Sequence, residues 1–169
     1  MNSETKLPVQ ALQWTGEELK VLDQRKLPEV IAYDSYSDAP GVAEAIATMR
    51  VRGAPAIGIA AAYGVVLSAR KHYRSDSDTW QAAIDEDIQR LAASRPTAVN
   101  LFWALQKMQD VLALHAADPR AALESEAKKI HADDLADNRR MGDFGAELLK
   151  GAKGVLTHCN AGALATGGY

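Results

Sequence analysis

The sequence predicts a mixed α/β protein: a small N-terminal antiparallel sheet, a helical bundle, and then the first strand of a parallel α/β sheet. Three observations predict it. Short runs with β-branched residues alternate with turn residues up to about residue 40. From Val42 onward the apolar residues recur at helical spacing. The chain then closes on Val155-Leu-Thr-His158, a short apolar run leading into Cys159 and a Gly-rich turn that reaches Tyr169. These three stretches set the expected domains at 1–40, 41–152 and 153–169.

Val9–Trp14, Glu18–Asp23 and Glu29–Tyr33 read as strands because Thr15-Gly16 and Pro28 break them apart. Asp34 to Gly41 reads as a loop from its Ser, Asp, Pro and Gly content. Val42–Met49 makes a first helix. A second starts with Pro55 in its first turn, where the missing N–H costs little, and runs to about Tyr73. It is small or apolar on nearly every face, so it is expected at the centre. Asp78 opens a third helix with Ile84, Ile88 and Leu91 on one face. Thr97 caps a fourth whose stripe is Leu101, Leu105, Met108 and Leu112. Asp118-Pro119 starts a fifth that reaches about Leu149, with a bend expected at Gly142 or Gly145. A strand at residues 155–158 needs sheet neighbours, so the natural protein is expected to continue beyond Tyr169.

Composition narrows the function. The chain has 169 residues, 47% hydrophobic and 24% charged, with a net charge of -3. That excludes a disordered chain and gives no basic footprint for nucleic acid. The single cysteine rules out an internal disulfide. Ala54–Ala69 carries no charge but is short for a membrane span and reads as a buried helix. The cytoplasm is the expected compartment, with no membrane partner.

Three places carry candidate chemistry. Arg52-Gly53-Ala54 precedes a helix N-terminus, where free N–H groups and an arginine suit a phosphate; the alternative is a tight turn with close packing at Gly53 and Gly58. Arg95, fixed before Pro96 at another helix start, is a second anion clamp or an exposed cap. Cys159 is a nucleophile or base at a strand's carboxyl end, or a small buried hydrophobe. His158 points to the opposite face of that strand and makes a poor partner. No metal site is expected, because the histidines are scattered. Asp133, Asp134 and Asp137, with cations interleaved, read as a solvated helix face.

Together these segments resemble one family. Met49-Arg-Val-Arg-Gly-Ala-Pro-Ala-Ile-Gly58, Ser94-Arg-Pro-Thr-Ala-Val-Asn100 and Leu156-Thr-His-Cys-Asn-Ala-Gly162 look like methylthioribose-1-phosphate isomerases, in the family's order over nearly the whole chain. Asn138-Arg-Arg-Met-Gly-Asp-Phe-Gly145 also fits. The resemblance implies an aldose–ketose isomerase of methionine salvage, acting on a small phosphosugar without a cofactor. It implies that Arg52, Gly53, Ala54 and Arg95 bind substrate and that Cys159 is catalytic. It further implies a homodimer in which this region precedes a Rossmann-like domain. In the family an aspartate of that later domain opens the sugar ring, so none of Asp133, Asp134, Asp137 or Asp143 takes its place, and a polypeptide ending at Tyr169 is expected to be inactive alone.

Two other readings compete. A ribose 1,5-bisphosphate isomerase would share both arginines and the cysteine but needs a basic pocket for its second phosphate. A non-catalytic module, like the regulatory subunits of the translation-initiation exchange factor, shares the fold without needing the cysteine motif.

Overall fold

A computed structural model describes residues 9–74, 79–114 and 117–169. Strands β1 (Leu12–Trp14), β2 (Leu19–Leu22) and β3 (Tyr33–Tyr36) form one antiparallel sheet in chain order. Five helices follow among the described residues: α1 (Ala39–Ala47), α2 (Ala54–His72), α3 (Trp80–Ser94), α4 (Val99–Leu114) and α5 (Arg120–Leu148).

The expected third strand is displaced. Residues 34–36, read as loop, pair with β2 in the register Leu19↔Tyr36 to Leu22↔Tyr33. The run up to Tyr33 instead holds a short 3-10 helix at Gln24–Lys26 and the turn beyond it. Polar turn residues at Asp34 and Ser35 are tolerated because β3 is an edge strand, where one row of backbone groups faces away from the sheet. Asp34 also answers Arg50 at 3.1 Å. The loop reading holds further on, where the Asp38 side chain caps α1 by accepting from the Gly41 N–H at 2.9 Å.

Helix α2 is the axle of the fold. Every residue from Ala56 to Ala69 is buried, and α1, α3, α4 and α5 all pack on it. A helix that is apolar all round must be enclosed on all sides. Alanine and glycine let its neighbours approach closely: a Cβ on Gly58 would lie 2.7 Å from the Asn100 carbonyl oxygen of α4. The close-packing reading of Gly58 is therefore correct. Among the described residues no helix is long and apolar enough to cross a membrane.

One expected helix start lies outside the described residues and one expected cap moves. Asp78 lies outside the described residues, and α3 is described from Trp80. Thr97 does not cap α4: it sits within the turn Arg95-Pro96-Thr97-Ala98, closed by the Ala98 N–H donating to the Arg95 carbonyl at 3.0 Å. Proline at the second turn position favours this geometry. The Ala98 carbonyl then accepts from Leu101 at 3.0 Å and starts the helix. Helix α5 runs unbroken through Gly142 and Gly145.

The sheet is fastened to the bundle by charge. Glu124 of α5 accepts from Lys128 at 2.8 Å, from the Trp14 indole N–H at 3.0 Å and from Arg70 of α2 at 2.5 Å. Lys128 first, then Trp14 and Arg70, hold the Glu124 carboxyl at about 2, against an ordinary 4.5. Arg25 likewise holds the buried Asp23 at about 2, against 3.8. A carboxyl whose folded pKa is depressed adds stability above its unfolded value and loses it as pH falls through the folded one. The melting temperature is therefore expected to be level above about pH 4.5 and to fall from there towards pH 2. Glu124→Gln should flatten that fall, and thermal melts across this range check it; a wild-type curve level down to pH 2.5 contradicts the linkage.

Candidate active site

The three candidate segments meet. Arg52, Gly53, Ala54, Arg95 and Cys159 all line one cavity of about 880 Å³, with Met49, Asn100 and Asn138 also on its wall.

The Arg52 turn is held from behind. Arg50 reaches Asp34 and Glu44, both at 3.1 Å, and its carbonyl accepts from the Gln24 N–H at 3.0 Å. Val51 is buried, which leaves Arg52 directed outward and exposed. Gly53 caps α2 at φ 95, a left-handed conformation that glycine adopts without steric cost. A side chain there would also collide, since its Cβ would lie 2.4 Å from the Ala165 Cα. The close-packing reading of Gly53 therefore holds, and the packing occurs at the cavity wall.

The amides of this helix start are partly used. Pro55 has none, Ala56 donates to the Ala165 carbonyl at 3.1 Å, and Ile57 donates to Gly53 at 3.0 Å. Among the described residues Gly53 and Ala54 are left to offer N–H groups to a ligand, with the helix dipole behind them.

The cysteine segment departs from expectation. Among the described residues there is no strand at Val155–His158; the stretch from Gly151 to Gly162 is exposed coil. A parallel strand needs neighbours to satisfy its N–H and C=O groups, and all three strands described belong to the N-terminal sheet. Cys159 is exposed rather than a buried hydrophobe, and it sits at φ 64. Left-handed backbone at a non-glycine residue is uncommon and marks a tight change of direction. The following turn is seated firmly: Ala165, Thr166 and Gly167 are buried, and the Leu164 carbonyl accepts from the Gln24 amide at 2.8 Å.

Helix α5 reaches the same place. Asn138 lines the cavity, its amide donating to the Asp134 carbonyl at 2.8 Å. The solvated-face reading holds for Asp133, paired with Lys129 at 2.5 Å, and for Asp137, paired with Arg140. It fails for Asp134, whose carboxylate accepts from the Gly167 N–H at 2.6 Å. Residue order alone gives no sign of this contact, because Asp134 and Gly167 are far apart in the chain.

Charge in the cavity has one sign. Among the described residues Arg52 and Arg95 are the only charged ones on its wall, and neither is paired with a carboxylate there. By contrast Arg25, Arg50, Arg70, Arg90, Arg120 and Arg140 all make ion pairs. Two unneutralised guanidinium groups beside free backbone amides attract an anion.

A helical bundle with this anion-attracting, cysteine-edged cavity matches a known class. The model of the Initiation factor 2 subunit family matches residues 50–167, and the chain belongs to that family. Within it, the chain is a homologue of methylthioribose-1-phosphate isomerases. It is 62% identical over 161 residues to that of Methylococcus capsulatus, covering 95% of this chain and 46% of the relative. It is 58% identical to that of Thioalkalivibrio sulfidiphilus, with the same coverage. Among solved structures, the 5-methylthioribose 1-phosphate isomerase of Pyrococcus horikoshii OT3 superimposes with a TM-score of 0.86 at 40% identity, over 96% of this chain and 46% of that one. The delta subunit of translation initiation factor eIF-2B from A. fulgidus gives 0.83 at 38%, over 94% and 47%. The chain spans about half the length of the curated relatives it matches.

Proposed function

We propose that the protein carrying this chain interconverts 5-methylthioribose 1-phosphate and 5-methylthioribulose 1-phosphate in methionine salvage, and that this chain supplies the phosphate-binding and thiol side of the site. The observation that carries the reading is the pair of unneutralised arginines, Arg52 and Arg95, on one cavity wall with Cys159.

The substrate's C1 carries phosphate, so no free aldehyde is available and the ring must open first. Arg52, Arg95 and the Gly53 and Ala54 amides hold the dianion and fix the sugar's orientation. Cys159 then faces C2, where a thiolate takes the proton that is returned at C1, or steadies charge while hydride passes from C2 to C1. In both routes the hydrogen lost from C2 arrives at C1, so aldose becomes ketose with no external redox partner. The thiol is exposed in this structure, and the reaction calls for a drier setting. A Rossmann-like domain begun by residues 153–169 and closing over Cys159 supplies that setting and the ring-opening acid. The homodimer and the cytoplasmic location belong to the same proposal.

Two observations favour this over the alternatives. A bisphosphate needs a second basic cluster, and among the described residues the cavity wall carries Arg52 and Arg95 alone as cations, with Met49, Ile57 and Val99 as apolar wall. A non-catalytic module has no need of a thiol at a cavity edge, and 62% identity to the isomerase of Methylococcus capsulatus supports an enzyme. Assaying both sugars on the protein that contains this chain in full tests the reading. The methylthio sugar is expected to be isomerised with at least tenfold higher kcat/KM. Preference for ribose 1,5-bisphosphate, or turnover of neither, overturns it.

A further inference from the structure

Gly167 is gripped on both sides of its backbone. Its N–H donates to Asp134 Oδ2 at 2.6 Å, and its carbonyl accepts from His131 Nε2 at 2.7 Å. The grip leaves no room for a side chain: a Cβ on Gly167 would lie 2.8 Å from His131 Cδ2 and 3.0 Å from Asp134 Oδ2. Because a carbonyl can only accept, Nε2 carries a hydrogen, and the tautomer with its one hydrogen there presents a lone pair at Nδ1. The Tyr63 hydroxyl, 3.2 Å from Nδ1, is then the donor. Tyr63 is itself immobilised, buried in α2 and stacked on Trp14 with ring centroids 4.8 Å apart.

We propose that Tyr63, His131 and Asp134 form a positioning clasp that holds the Cys159 loop against the phosphate-binding turn. The inference rests on the isomerase reading for its kinetic consequence. None of the three lines the cavity with Cys159, so they act through the loop and not on substrate. The geometry carries the proposal. Glycine at residue 167 brings the loop onto α5, and this docks the Ala165 carbonyl on the Ala56 amide beside Gly53. Cys159 is thereby tied, a few residues upstream, to the wall that holds Arg52. Loosening the grip displaces the thiol while leaving the arginines on their own elements untouched.

The test compares Asp134→Ala, Asp134→Asn and Tyr63→Phe in the full protein. Asp134→Ala is expected to lower kcat about tenfold to hundredfold with KM changed less than threefold, because small misplacements of a reacting group carry costs of that order. Asp134→Asn keeps an acceptor oxygen and should recover most of that loss. Tyr63→Phe, which keeps the stacked ring and should fold normally, is expected to lower kcat severalfold by freeing the His131 tautomer. Amide hydrogen exchange reads the clasp without reference to turnover: Gly167 should lose protection in Asp134→Ala and keep it in Cys159→Ser. Unchanged exchange at Gly167, or faster exchange with unchanged kcat, overturns the clasp. Turnover surviving in Cys159→Ser sinks the catalytic role of Cys159, whereas turnover of neither sugar by the unaltered protein sinks the isomerase reading; the exchange result stands apart from both.

Discussion

Replacing Cys159 by serine is expected to lower kcat about 100-fold to 10,000-fold, the range that a group moving a proton in the transition state contributes. The fold should not notice. Cys159 is exposed, and substitutions away from the core usually fall within about 0.5 kcal/mol. Serine keeps the shape and the left-handed backbone requirement at φ 64 but is a far weaker acid than a thiol. A cysteine serving as a buried hydrophobe would give the opposite pattern, with stability lost and chemistry kept. Steady-state kinetics and a thermal melt on the same sample separate the two. A variant that melts lower and turns over normally returns Cys159 to a structural role.

Gly53→Ala is expected to damage both stability and binding. The added Cβ meets backbone at 2.4 Å, both at the Ala165 Cα and at its carbonyl oxygen, so no side-chain rotation relieves it. The left-handed conformation at φ 95 adds its own strain. A misplaced Cβ there costs about 1–2 kcal/mol, and overpacking a further 1–3 kcal/mol. A loss of about 2–5 kcal/mol in urea unfolding follows. Relief comes by pushing the Gly162–Thr166 turn away, which breaks the Ala56 N–H to Ala165 carbonyl bond. KM for the phosphosugar should also rise at least tenfold, because the strained backbone at residue 53 itself turns the Gly53 and Ala54 amides from the ligand. An unshifted unfolding midpoint with unchanged KM contradicts the close approach.

Much of this was legible in the residues. The all-round apolar character of Ala54–Ala69 placed α2 at the centre, because such a surface has no stable face for water. The breaks at Gly53 and Pro96 located two corners of the cavity, since a left-handed cap and an X-Pro turn each leave a local signature. Three things were not legible. The β3 register depends on β2, so Tyr33–Tyr36 could not be fixed from its own loop-like composition. The strand at Val155–His158 was an inference from apolar content, yet strand formation depends on a neighbour, and the described residues provide none. Asp134 and His131 sat in a helix whose charges looked solvated, and only the fold brings Gly167 to them. Asn138 is the intermediate case: its segment carried the family resemblance, but its place on the cavity wall needed the course of α5.

The central claim is that Arg52 and Arg95, from separate elements, hold one phosphate beside Cys159. Measuring KM for 5-methylthioribose 1-phosphate in Arg52→Ala, Arg95→Ala and the double variant tests it most directly. Each single loss is expected to raise KM roughly tenfold or more, as loss of a charge-assisted hydrogen bond implies. The two effects should be coupled, because groups sharing one ligand are not additive. A KM untouched by either substitution would contradict the account.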